Sequence, residues 1–85
     1  MKDYSNLEFW KRAHSLVILI YKISYNFPKE EIYSLTSQIR RSAISVPSNI
    51  AEGSGRNSNQ QLINFLQIAC GSLSELQYQI LLAFE

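Results

Sequence analysis

Residues 40–56 read RRSAISVPSNIAEGSGR. The fold turns on whether Pro47 ends a helix here or sits inside one. A proline ring removes a backbone N–H and clashes with the carbonyl four residues back, so Ala43 loses its partner. Yet Ile32, Leu35, Ile39, Ser42, Val46 and Ile50 keep steps of three and four straight through the proline. That spacing marks one face of a helix. The sequence therefore predicts a helix over about 30–53, starting somewhere between Lys29 and Thr36 and kinked at Pro47. Ser45 and Ser48 are placed to satisfy backbone groups around the kink. A complete break at Ser45–Pro47 is the alternative.

Outward from this stretch, both flanks read as helix. Upstream, Trp10, Ala13, Val17, Ile20, Ser24 and Phe27 recur at the same steps, which predicts a helix over about 7–26. Ser5 and Glu8 have the spacing of a capping box at its head. Pro28 ends it in a turn. Downstream, GSGRNSN holds two glycines, two serines and two asparagines and reads as a loop. Ser58 and Gln61 repeat the capping-box spacing. Leu62, Leu66, Ala69, Leu73, Leu76, Ile80 and Ala83 then alternate steps of four and three, a heptad seam over about 59–85. Such a seam packs helices nearly antiparallel. The expected fold is all-α: an up-and-down antiparallel bundle showing three helices of a four-helix bundle. No cap, terminal basic residue or proline follows Phe84, so the third helix is expected to stop mid-course and the fourth to be absent.

Composition narrows the function classes. The chain has 85 residues, 46% of them hydrophobic and 18% charged. One domain is the ceiling at this length. So few charges over so much apolar surface imply efficient packing or burial against other copies. Net charge is +1, so contact with nucleic acid would have to come from local clusters. The single cysteine forms no internal disulfide and fits a reducing cytoplasm. The run LVILIY is too short to span a bilayer.

Apolar residues exceed what one seam uses. At about 100° per residue, Ile63, Cys70 and Leu81 flank the third helix's seam, and Tyr78 and Leu82 lie further round. Ile44 and Ala51 turn away from Ile39 on the second helix. Leu19 stands among Arg12, Ser15 and Asn26 on the first. These residues are expected to meet a missing helix or identical subunits. Scattered surface hydrophobes are the plainer alternative.

Candidate chemistry is sparse. His14 stands alone and reads as a surface or interface side chain. Cys70 reads as a small buried hydrophobe. Gly53-Ser54-Gly55 lacks the lysine of a P-loop and reads as a turn. Gly71, with Ala69, Ser72 and Ser74, reads as a patch for close helix approach. Arg41, Ser45, Ser48 and Glu52 share a face, and the expected arrangement is a polar network with Arg41 paired to Glu52 or Glu75. Lys11, Arg12, Lys22, Arg40 and Arg56 are the candidate nucleic-acid contacts, because exposed cations can touch phosphate. Nothing supplies a paired acid and base, a metal set or an activated nucleophile, so no catalytic residue, metal site or cofactor is expected.

The stretches FPKEEIYSLTSQIRRSAISVPSNIAEGSGR and FLQIACGSLSELQYQI closely resemble proteins encoded in intervening sequences of bacterial large-subunit ribosomal RNA genes. The resemblance covers essentially the whole chain, with NIAEG and GSLSEL its most specific segments. It implies a four-helix bundle assembled into a ring, typically a pentamer. It also points to a relative, the accessory variability protein of diversity-generating retroelements, which binds nucleic acid and a reverse transcriptase. By the family pattern, Arg41, Asn49, Glu52, Gly71, Ser72 and Glu75 belong to the signature. The expected partners are thus copies of the chain, RNA or DNA, or a protein such as a reverse transcriptase. No membrane is expected.

Overall fold

The structure, a computed structural model, describes residues 3–85. The described residues are all-α and contain no strand. After a 3-10 turn at Tyr4–Asn6, three α-helices follow: α1 (Glu8–Ser24), α2 (Leu35–Ser54) and α3 (Asn59–Ala83). A second 3-10 turn spans Lys29–Glu31.

Helix α2 runs unbroken through Pro47, so the full break at Ser45–Pro47 does not occur. Neither Ser45 nor Ser48 bonds the neighbouring backbone through its hydroxyl. The Asn49 amide does so, donating to the Ser45 carbonyl at 2.7 Å. Helix α2 starts at Leu35, inside the expected span from Lys29 to Thr36 though later than residue 30. Pro28 opens a 3-10 turn, and Ser34 then leaves helical geometry at φ −127°, ψ −101°. Its hydroxyl donates to the Glu31 carboxylate at 2.6 Å, which holds the turn closed.

The two expected capping boxes part ways. Ser58 does cap α3, accepting from the Gln61 backbone N–H at 3.2 Å. Ser5 does not cap α1. It lies inside the first 3-10 turn and donates its own N–H to Asp3 at 3.1 Å, leaving Leu7 as a cap without a side-chain bond. Hydrogen bonds from Ser5 stabilise the charged form of Asp3 and hold its carboxyl below the usual value.

Contacts set the topology. Ser24 meets Arg40, Ala13 lies with Ile50, and Ile20 with Ala43, so α1 and α2 run antiparallel. Ser42 meets Glu75 and Ser45 meets Ser72, so α2 and α3 do too. Helix α2 is the central rod. One core cluster joins Ala13, Val46, Ile50 and Ala69, with Leu7, Trp10 and Leu66 packed on it. The other joins Ile20, Ile39, Ala43 and Leu76, with Leu16, Val17, Phe27 and Ile80 around it.

Two glycines exchange the roles expected of them. A Cβ on Gly53 would lie 2.9 Å from Phe65 Cβ and 3.1 Å from Leu62 Cδ1, so α2 and α3 converge closely there. Gly53 is thus a buried helical residue at a close approach, not part of an open turn. A Cβ on Gly71 would meet nothing within 4 Å, so the bundle as it stands does not use Gly71 for close packing.

Candidate functional site

Helices α1 and α3 both pack on α2 but stand apart from each other. The gap is an open groove of about 530 Å³. Its floor is Val46 and Ile50 of α2. Phe9, Ala13 and Leu16 form one wall, and Leu66, Ala69, Cys70 and Leu73 the other. Arg12 is the one charged residue in its lining. Leu19 and Ile23, exposed on the same flank of α1 as Arg12 and Leu16, continue the apolar strip. On α3, Ile63 and Leu81 continue it beside Cys70.

Two expectations change here. Leu73 belongs to the heptad seam, yet it is 39% exposed and faces the groove. Cys70, expected to be buried, is exposed at the groove wall. The seam turns Ala69 inward, and the next residue points about 100° away. Tyr78 and Leu82 are exposed on the far side of α3. Ile44 and Ala51 lie elsewhere, in a depression of about 280 Å³ between α1 and α2 with Trp10, His14 and Pro47. His14 is exposed and its ring stacks on Trp10 at 5.1 Å with 5° between planes.

On the opposite flank of α3, polar stripes from two helices meet. Gln38, Arg41 and Ser45 face Ser72, Glu75 and Gln79 across a cleft of about 310 Å³. Ser42 donates to Glu75 Oε1 at 3.0 Å. The Ser45 and Ser72 hydroxyls share a bond at 2.7 Å, and Asn49 donates to Ser45 Oγ at 2.9 Å. The ion pairing expected for Arg41 is not formed. Glu52 pairs with Arg56 instead, at 3.2 Å one turn on, and Glu75 is engaged by Ser42. Of the expected network, Arg41 and Glu75 line the cleft and Asn49 reaches it through Ser45, whereas Glu52 does not line it.

The five candidate cations do not form one surface. Lys22 and Arg40 come together in a shallow depression with Ile18, Tyr21 and Tyr25. Arg40 is held there, donating from Nε to Ser24 at 2.8 Å with its guanidinium 4.8 Å from the Tyr21 ring centre. Arg12 faces the groove and pairs with Glu8 at 3.8 Å. Arg56 lies over Phe65 near the α2–α3 loop, and Lys11 is exposed on α1.

Sequence reasoning missed Phe9, Gln38, Gln79, Tyr21 and Tyr25. The two glutamines were detectable, because Gln38-Arg41-Ser45 and Ser72-Glu75-Gln79 share the spacing i, i+3, i+7. Phe9 and the tyrosines carry no comparable signal, since periodicity does not say which flank stays open.

Among the described residues, no three His, Cys, Asp or Glu side chains gather to hold a metal. No helix among them is long and apolar enough to cross a membrane. No curated protein matches the chain. The profile of the 23S rRNA-intervening sequence protein family matches residues 5–85. With an all-α, antiparallel helical fold under that match, the chain belongs to the 23S rRNA-intervening sequence protein family.

Proposed function

We propose that this protein is a non-enzymatic, self-assembling helical bundle of the cytoplasm whose working form is a homo-oligomer. The observation that carries the reading is the groove between α1 and α3. It is about 530 Å³, walled by Phe9, Leu16, Leu66 and Leu73, and open to water. Contiguous apolar surface of this kind is costly to leave wet and marks an interaction site. Leu19, Ile63, Cys70, Tyr78, Leu81 and Leu82 extend apolar surface along the same helices, and Ile44 and Ala51 add the second depression. A bundle helix, from the same polypeptide or another copy, covers these strips, and the family resemblance favours five copies in a ring. Sedimentation equilibrium tests this on the full-length protein. Assemblies well above the monomer mass are expected, and a monodisperse monomer at high concentration overturns the reading.

A second reading is backbone contact with RNA or DNA, and the grouping of Lys22 and Arg40 with Tyr21 and Tyr25 favours it. Two cations in one copy bind weakly, but a ring repeats them. Affinity for structured RNA should fall steeply as salt rises. Undetectable binding at low salt removes this reading. It leaves an adaptor that docks a protein such as a reverse transcriptase, and a pull-down recovering only the chain itself would count against that.

A further inference from the structure

We infer that the polar cleft between α2 and α3 is a binding site for a small zwitterion, of the free α-amino acid class. The cleft holds one positive and one negative group that do not neutralise each other. Arg41 and Glu75 both line it, yet among the described residues the only ion pairs are Arg12–Glu8 and Arg56–Glu52. Ser42 occupies Glu75 Oε1 at 3.0 Å and so holds the carboxylate against α2. A guanidinium is a planar fork of donors that matches a carboxylate. A carboxylate beside it, with acceptor capacity to spare, suits an ammonium group. One ligand carrying both groups a few bonds apart satisfies both.

A second observation points the same way. Gln79 is 7% exposed and lines this cleft, and its Oε1 is buried without a hydrogen-bond partner. A buried acceptor left unpaired costs about 1–3 kcal/mol, so native structures rarely keep one without a use. The terminal torsion of glutamine is broad and soft, and a partial rotation presents this oxygen to a donor in the cleft. The ammonium is that donor, bridging Glu75 and Gln79. Hydroxyls complete the lining. Asn49 donates to Ser45 Oγ at 2.9 Å, and the Ser45 and Ser72 hydroxyls share a bond at 2.7 Å in which either can be the donor. A cleft of about 310 Å³ has room for a molecule of this size.

The test is a titration of the full-length, 15N-labelled protein with L-serine, following the Arg41 Nε–H and Gln79 side-chain amide signals. Saturable shifts of both are expected, with a dissociation constant on the order of 1 mM. Acetate alone and ethylammonium alone should bind at least about tenfold more weakly. Arg41→Gln and Glu75→Gln should each weaken L-serine about tenfold. Glu75→Gln also disturbs the bond from Ser42. Arg41→Gln, at an exposed side chain without an ionic partner, keeps the test sound if that variant unfolds. Absence of shifts, equal shifts with acetate, or unchanged affinity in Arg41→Gln would overturn the inference.

Discussion

The two flanks of α3 differ in kind. One opens onto the α1–α3 groove and is apolar, with Leu66, Cys70 and Leu73 facing water. The other closes on α2 through Ser72, Glu75 and Gln79 and is polar and directional. An apolar strip accepts any greasy partner of suitable shape, because hydrophobic burial has no direction. A hydrogen-bonded stripe fixes one register, since slipping the helix would strand its donors and acceptors. The polar flank therefore aligns α3 on α2, and the apolar flank remains available for association.

Leu76 lies between the flanks and is 1% exposed. Leu76→Ala should have the largest effect, a loss of about 2–5 kcal/mol measured by urea unfolding. Leu73→Ala, three residues earlier on the groove flank, gives the contrast. It should cost less than about 1 kcal/mol in a monomer. A cost near that of Leu76, growing with protein concentration, would show the groove covered.

Gly53→Ala probes the end where α2 and α3 converge. The added methyl would lie 2.9 Å from Phe65 Cβ, so a loss of about 1–3 kcal/mol is expected in thermal unfolding. Gly71→Ala should do the reverse, since its methyl meets nothing. A gain of up to about 1 kcal/mol follows from helix propensity. If that variant instead weakens assembly, a partner packs against Gly71 on the face it shares with Tyr78 and Leu82.

The polar flank should respond more mildly. Ser42→Ala removes one bond to Glu75, an exposed residue that water can resolvate, and should cost about 1 kcal/mol. Glu52→Gln, which breaks an exposed pair with Arg56, should change stability by less than about 0.5 kcal/mol and lose even that effect in high salt. An effect of Glu52→Gln as large as that of Leu76→Ala would mean that charge, not packing, orders the bundle.

The three rods were visible in the chain because a helical face leaves a local trace. Ala13, Val17 and Ile20, or Leu62, Leu66 and Ala69, recur at the helix's own period wherever the helix ends up. The cap at Ser58 was visible for the same reason, since its bond spans only three residues. Ser5 misled because Asp3, two residues earlier, takes its N–H and hydroxyl and caps a 3-10 turn that contains it. The start of α2 could be bounded only to between Lys29 and Thr36, because IYS carries helical periodicity that the Pro28-led turn overrides.

The candidate surfaces were legible only in part. Surplus apolar side chains could be counted, but Leu73 and Cys70 changed sides, and Arg41 lost the partner assigned to it. Periodicity states which residues share a face of one rod. It carries no information on how far α1 stands from α3 around α2, because that spacing follows from the combined packing of Trp10, Val46, Ile50 and Ala69. Helix, seam and surplus are local properties of order along the chain. The groove, the cleft and the choice of ion pairs are properties of three rods fitted together, and so arise only once the chain has closed on itself.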